Sequence, residues 1–434
     1  MLRRHRKQAA LAAITLAILS ASVVRPVRAA DSAGTTGGAE IRVGIDEGDL
    51  RGDDHRALQA AVDYVAGLGG GTVYVGPGKY RMRNALILRD NVRVVGVPGK
   101  TVLAACDGVC VRLAADGDYN QREITVADPS GFRVGDGVAI ADNQSASGFN
   151  VTTATLTART GSNSFRLSGP LYLDYMVANG ATARLAFPVV GGWQVKNAAV
   201  EGLTLDGNRD RAQPLDGCRG GGIYLFECSD VTIRGCTVCN YNGDGISFQV
   251  SRRVTVEDCL TRNNAGHGLH PGSGSQSPVV RRNRSTGNGR DGMFVCWRVR
   301  QGRFEDNTIQ SNKGVGISIG HKDSDNLFRD NRITENDSAG VAFRDESEAM
   351  GAHRNRFEKN VILDNGPAKS GAAIVIRGEH HDLVFRENVI GYSRPRSGPS
   401  TGVRASEAAR GLKAEENDFR NVTTRIEVEK KRAP

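Results

Sequence analysis

Gly222-Ile223-Tyr224-Leu225, Gly245-Ile246-Ser247-Phe248, Gly268-Leu269, Gly292-Met293-Phe294-Val295, Gly316-Ile317-Ser318-Ile319 and Gly340-Val341-Ala342-Phe343 repeat one pattern: a glycine, then apolar residues at alternate positions. The glycines lie 23, 23, 24, 24 and 24 residues apart. Nine residues before the last three stands an asparagine (Asn283, Asn307, Asn331), and four residues before stands another (Asn288, Asn312, Asn336). The series continues through Asn360, Asn388 and Asn417. A period this short, with two-residue alternation and turn residues in every cycle, specifies a solenoid of stacked coils. The leucine framework of leucine-rich repeats is absent. One coil cannot bury its own apolar face, so coils stack about 4.8 Å apart and share a continuous core. Aligned asparagines hydrogen-bond along such a stack, and glycines supply the backbone angles of its corners. The 54 glycines and 6% aromatic content suit that architecture. The expected fold is all-β: a right-handed parallel β-helix with regular coils over residues 195–428.

Residues 1–30 read as a secretory signal peptide. Arg3, Arg4, Arg6 and Lys7 precede an apolar run from Ala9 to Val24, and Val27-Arg28-Ala29 offers a cleavage site. Six of the nine net positive charges lie in this leader (Arg3, Arg4, Arg6, Lys7, Arg25, Arg28), leaving 9 − 6 = +3 for the mature chain. That balance gives nucleic-acid binding no electrostatic basis. The expectation is a secreted or periplasmic monomer without a stable membrane anchor. Its eight cysteines suit disulfides in an oxidising compartment. The register sets Cys236 and Cys259 in the column later filled by Asn283 and Asn307, within bridging reach. Cys106–Cys110 and Cys218–Cys228 are the other expected local bridges. Cys236-x-x-Cys239 lacks the second pair that a zinc site needs.

Residues 31–44 are expected to be a flexible lead segment. A helix then starts at Asp53-Asp54, with Ala57, Leu58, Ala61, Val62, Val65 and Leu68 on one face, and stops at Gly69-Gly70-Gly71. Laid over the first coil, it protects an open sheet edge. Short strands follow at Thr72–Val75, Ala85–Leu88, Val92–Val95 and Thr101–Leu103. Gly52-Asp53-Asp54, Ala60-Ala61, Gly69-Gly70-Gly71-Thr72-Val73-Tyr74-Val75 and Pro77-Gly78-Lys79-Tyr80 resemble the amino-terminal cap of the pectate lyase superfamily, including its rhamnogalacturonase and epimerase-like members. The resemblance covers a cap over residues 45–105, and the coils from Val200 onward resemble the same superfamily's repeats. It implies fold more than chemistry. Residues 120–190 break the coil rhythm and are expected to form a small antiparallel β insertion, either walling one side of a groove or simply covering apolar surface.

Register turns the repeat into a map of the exterior. Counting from each glycine, position two carries Tyr224, Ser247, His270, Phe294, Ser318 and Ala342, and position four carries Gln249, Cys296, Arg344 and Arg377. The adjoining corner supplies Trp297, Arg298, His321, Lys322, Asp345, Glu346 and Glu379. A strip so rich in cations around an exposed aromatic suits an acidic, uronate-containing polysaccharide. The favoured activity is a polysaccharide lyase working by β-elimination, which needs a base, a carboxylate-neutralising cation and an acid for the leaving oxygen. Lys322 or His321 is the expected base, Arg298 and Arg344 the stabilising cations, and His270 an acid or orienting partner. Trp297, Gln249, Glu346, Arg377 and Glu379 are expected to bind substrate. In the competing structural role, Lys322 pairs with Glu346 as an ordinary surface ion pair.

Three alternatives stay open. A glycoside hydrolase would use paired carboxylates, and Glu346 and Glu379 share a column, with Asp323 and Asp345 as substitutes. Asn242-Gly243-Asp244-Gly245 and Gly266-His267-Gly268 are faintly similar to polygalacturonase motifs, yet they fall on the repeat's own turn glycines. C5-epimerases share the fold and the first proton abstraction. Their Asp-Pro-His motif is absent, and His270-Pro271 inverts part of it. The last alternative is a non-catalytic glycan-binding surface protein. Calcium is a possible cofactor, with Asp323 and Asp325 as candidate ligands; a simple Asx turn competes with that role.

Overall fold

Alternating apolar residues build three walls that share one interior in the computed structural model, which describes residues 38–367 and 371–430. The first wall has 13 parallel strands running from Leu50–Arg51 and Ala39–Gly44 to Lys413–Glu415. The second has 11, from Gly78–Met82 to Asp418–Arg420. The third has 11, from Leu86–Ile87 to Thr424–Glu429, and holds the strands that follow the repeat glycines. Each coil visits the walls in that order, as in Thr232–Arg234, Thr237–Cys239 and Ile246–Gln249. The fold is a right-handed parallel β-helix. The predicted signal peptide and residues 31–37 lie outside the described residues, among which no helix is long and apolar enough to cross a membrane.

The asparagine columns work as the sequence predicts. In the run Asn283, Asn307, Asn331, Asn360, Asn388 and Asn417, each Oδ1 after the first accepts the side-chain N–H of the asparagine one coil earlier at 2.9–3.0 Å. The same oxygen also accepts that residue's backbone N–H, so the corner's buried donors are satisfied without water. The second column runs from Asn264 through Asn288, Asn312 and Asn336 to Asn365. Inside the first wall, Phe304, Phe328, Phe357 and Phe385 stack at 4.7, 4.4 and 5.1 Å.

The cap helix spans His55–Gly67, with Asp54 accepting the Arg56 N–H at its start and Leu58, Ala61, Val62 and Val65 fully buried. Leu68, expected on the same face, is exposed because the helix ends there. Ala39–Gly44, expected within a flexible lead, is a strand: it pairs in parallel with Gly71–Val75 and buries Val43. The antiparallel insertion has six strands between Cys110 and Leu185. It starts ahead of residue 120 because its closing strand, Thr182–Leu185, pairs back onto Cys110–Arg112.

All eight cysteines are unbridged, which corrects the disulfide expectation. Register does set Cys236 beside Cys259, but each thiol instead donates to carbonyls: Cys236 to Val200 and Arg234, Cys259 to Ile233 and Glu257. The two occupy asparagine positions and bond to backbone as asparagines do. Cys110 sits in the exposed first strand of the insertion, and Cys228 turns its thiol onto the Phe226 carbonyl.

Candidate active site

The third wall's outer face and its adjoining corner hold the residues expected from sequence to form a site. Its register aligns Tyr224, Ser247 and His270 in one column and Phe294 with Ser318 and Ala342 further along. Much of this outward column is buried, however. A loop from Pro214 to Gly220 lies across it: Ser247 Oγ donates to the Gly217 carbonyl at 2.6 Å, and Tyr224 OH donates to the Cys218 carbonyl at 2.7 Å. Gly217 is obligatory there, because a Cβ would collide with Asp244 Oδ2.

Beneath that loop, His270 Nδ1–H donates to Asp244 Oδ2 at 2.7 Å, with both side chains 6% exposed. His270 Nε2 faces the Gln249 amide nitrogen at 3.5 Å. His267 flanks the pair, its ring 5.7 Å from that of His270. His267 Nδ1 accepts the Asp291 backbone N–H at 3.2 Å, so in the neutral ring the proton sits on Nε2. Burial holds the His267 pKa below its ordinary 6.5, against the pull of Asp244. Burial acts on Asp244 in the opposite sense to its neighbours, but His267, His270 and the hydrogen bonds keep its carboxyl below the usual range. Asp244 and Gly266 also line a cleft of about 270 Å³ with Arg290, Asp216 of the loop, and Ala146 and Arg184 of the insertion. The insertion thus walls one side of this cleft.

Phe294 joins this group to a second one. Its ring stacks on His267 at 4.3 Å, and the Arg344 guanidinium lies 4.7 Å from its centroid. Arg344, expected as a substrate cation, is committed to protein: it donates to Ser318 Oγ, the Val295 carbonyl and Asp323 Oδ2 at 2.9, 2.8 and 3.2 Å. Asp323 is fully buried, and burial pushes its carboxyl up to about 7 despite Arg344. Its other oxygen accepts the Val299 N–H. Asp325 faces elsewhere, in a two-pronged pair with Arg354 at 2.7 and 2.9 Å. The two calcium candidates are therefore committed to different partners, Asp323 to Arg344 and backbone N–H groups and Asp325 to Arg354, and no group of three or more acidic, histidine or cysteine side chains that could hold a metal ion is present among the described residues.

His321, a candidate base, is also engaged. Its Nε2 lies 3.0 Å from Glu346 Oε1, its Nδ1 faces the Cys296 thiol at 4.0 Å, and its ring stacks on Trp297 at 4.8 Å. Burial and then Arg344 depress its pKa. Glu346 therefore pairs with His321, where a pairing with Lys322 was the structural alternative. Glu379 Oε2 accepts the Glu348 N–H and Glu346 is paired with His321, so each of these carboxylates on adjoining coils already holds a protein partner. Both line a broad depression with Arg377 and Asp345. Gln249, expected to bind substrate, is wholly buried.

What remains open is the corner. Trp297, Arg298, His321 and Lys322 have φ of 68°, 66°, 46° and 67°. Left-handed backbone at two successive non-glycine residues, on two successive coils, costs of order 1 kcal/mol per residue or more and marks a site worth testing for function. It projects Trp297, 42% exposed, with Arg298 lying 5.6 Å from its ring. Lys322 makes no side-chain ion pair or hydrogen bond among the described residues. Of the residues expected from sequence, Trp297, Arg298 and Lys322 lie together at this corner, while His270 lies apart from them beside Asp244 and His267, a grouping the sequence reading did not make. The signal was the pair of motifs around Asp244 and His267, indistinguishable in sequence from turn consensus.

A parallel β-helix with a cap helix and polar side chains gathered on one outer wall defines the class. The family model for the right-handed β-helix region matches residues 193–350 and 302–419, over half of the chain, and the model for rhamnogalacturonase A/epimerase, pectate lyase-like proteins matches residues 44–132. The chain belongs to the right-handed β-helix family, within the pectate lyase-like superfamily. It is 24% identical over 328 residues to mannuronan C5-epimerase AlgE3 of Azotobacter vinelandii, a match covering 74% of this chain and 13% of that one. Alginate lyase 7 of the same organism is 37% identical over 97 residues, 18% of this chain and 11% of that one. The chain therefore spans only a fraction of the length of these curated relatives. In structure, the A-module of Azotobacter vinelandii mannuronan C5-epimerase AlgE4 superposes with a TM-score of 0.55 at 18% identity, covering 90% of this chain and all of the module.

Proposed function

We propose that this protein is an enzyme of uronate-bearing polysaccharides that abstracts the C5 proton, with epimerisation the favoured outcome and β-elimination its alternative. The observation that carries the reading is the Asp244–His270 pair beside His267, at a cleft edged by Arg290. The relatives named for mannuronan epimerisation and alginate cleavage support it. The Asp-Pro-His triplet associated with C5-epimerases is absent, but a carboxylate reaches His270 from the preceding coil instead.

The C5 proton is a weak acid, so its removal needs a base and stabilisation of the charge that spreads onto the carboxylate. His270, its Nδ1–H fixed by Asp244, keeps the Nε2 lone pair as base; Asp244 then stabilises the imidazolium. Neutral His267 presents Nε2–H to the substrate, and Arg290 supplies a cation at the cleft mouth. Return of a proton to C5 from the opposite face gives the epimer. If the C4–O4 bond breaks instead, the proton goes to O4 and the product carries a C4=C5 double bond. His270 reaches substrate only with the Gly217 segment displaced. Trp297, Arg298 and Lys322 hold the chain further along the wall, in place of the catalytic roles expected for Lys322 and Arg298.

The same Gly217 cover favours a second reading, glycan binding without turnover. Incubating the protein with polymannuronate in D₂O separates the possibilities. Deuterium at C5 with inversion establishes epimerisation, and ultraviolet-absorbing unsaturated ends establish elimination. New reducing ends without either overturn the proposal in favour of hydrolysis, and binding with no product selects the second reading.

A further inference from the structure

The chain has two tryptophans, and one of them, Trp193, stands on the third wall's outer face. Trp297 belongs to the charged corner. Trp193 does not: it aligns with Phe226, then Gln249, Gly272 and Cys296 on successive coils, four steps or about 19 Å from the Trp297 coil at the usual strand spacing. Its indole packs on Gly191, where a Cβ would stand 2.4 Å from Cζ3, and lies 5.9 Å from the Tyr224 ring at a tilt of 57°. A side chain at Gly191 would displace the indole, so the absence of one lets this aromatic plate seat against the wall.

Above that plate is a cleft of about 220 Å³ between the coils and the insertion. Its walls include Trp193, Tyr172, Phe187, Thr153 and Ser168, and no charged side chain lines it. The hydrogen-bonding groups are largely unused. Thr153 Oγ1, Tyr172 OH and Trp193 Nε1 have no hydrogen-bond partner among the described residues. Ser168 Oγ accepts the Thr155 N–H and keeps its own proton to donate. An aromatic face with several uncommitted hydroxyl and N–H groups recognises a ring that has an apolar face and a hydroxylated rim. Arg219 reaches the lining only from outside it, packed over the Tyr172 and Phe149 rings at 4.3 and 5.1 Å and donating to the Phe149 carbonyl, so a carboxylate in the cleft meets no lining charge to offset its desolvation.

We infer that this cleft is a second carbohydrate site, which takes an uncharged pyranose unit stacked on Trp193. It is separate from the charged corner in position and in chemistry. The inference stands apart from the proposed C5 chemistry, since it concerns binding of a neutral sugar.

The test uses the full chain carrying Trp297→Phe, which leaves Trp193 as the single tryptophan fluorophore. Cellotetraose, mannotetraose and chitotetraose are the neutral probes, and tetramannuronate is the charged one. At least one neutral tetrasaccharide shifts the emission saturably at millimolar concentration or below. Thr153→Val and Tyr172→Phe, which keep the packing, each weaken that binding severalfold, and Gly191→Leu abolishes it. Tetramannuronate neither competes nor reproduces the shift, and His270→Ala leaves it unchanged. The inference fails if no neutral probe alters the emission, if tetramannuronate does so equally, or if Thr153→Val and Tyr172→Phe bind as the parent does. Loss of turnover in His270→Ala with sugar binding intact separates the fate of this site from that of the C5 chemistry.

Discussion

At the scale of residues, the Asp244–His270 contact makes the sharpest demand on experiment. Asp244→Asn preserves shape but removes the charge that fixes the imidazole, and His270→Ala removes the proposed base. Each lowers kcat by about 10²–10⁴-fold, the usual worth of a positioned acid–base group. Arg298→Ala with Lys322→Ala instead raises KM and largely spares kcat, because those side chains face open solvent at the corner; steady-state kinetics on the responsive polymer decides both. His267 gives a pH signature. Its folded pKa is depressed by burial. The neutral form is therefore favoured in the fold, and the resulting stability is present above the ordinary 6.5 and lost as pH falls through the lower folded value. His267→Gln, which titrates no longer, flattens that acid-side loss of urea midpoint, and an unchanged pH profile would refute the assignment. Much of this site was hidden in sequence for a physical reason. Ser247, Gln249 and His270 follow the outward register as expected, yet the loop from Pro214 to Gly220 buries them, and nothing in the repeat announces where a loop between coils will lie. Arg344 and His321 looked available because their partners, Asp323 and Glu346, arrive from turns whose side-chain direction sequence spacing does not determine.

The elements were more legible, since each is fixed by a column that recurs. The asparagine columns, the cap helix and the inward alternation were all readable because one hydrogen-bond or packing requirement repeats in every coil. Asn307 illustrates the energetics: its Nδ2 donates to the Val280 carbonyl and to Asn331, and its Oδ1 serves Asn283. Asn307→Ala strands buried partners on two coils. At about 1–3 kcal/mol for each buried group left unsatisfied, it lowers the denaturation midpoint measurably without altering the circular dichroism of the fold. A second column escaped the sequence reading. On the first wall, Glu201, Arg234, Glu257, Arg281, Glu305, Arg329, Glu358, Arg386 and Glu415 are successive neighbours of alternating charge. A slip of one coil would set like charges together, so the ladder opposes misregistration as well as bonding across strands. Glu257 is its most enclosed carboxylate, 2% exposed and paired with Arg234, Arg281 and Arg282. Glu257→Ala leaves three guanidinium groups crowded together and destabilises the fold more than Glu415→Ala at the ladder's end; urea titrations of the two variants compare them directly.

For the whole molecule, stacking has a consequence that a globular core lacks. Each coil touches only its neighbours, so stability is a sum of local interfaces and a defect at one end need not spread at once to the other. The cap helix is the place to apply such a defect. Val62 is fully buried under it, next to strands Ala39–Gly44 and Gly71–Val75 that begin the first wall. Val62→Asp buries a carboxylate without a partner and unseats the helix, opening those strand edges. The two tryptophans report on different coils, Trp193 near the cap end and Trp297 four coils further on. In single-tryptophan backgrounds, Val62→Asp lowers the thermal midpoint seen by Trp193 more than that seen by Trp297. Coincident midpoints would show that the side-chain ladders couple the coils strongly enough to unfold as one unit, and that the asparagine and charge columns carry cooperativity along the axis as well as register.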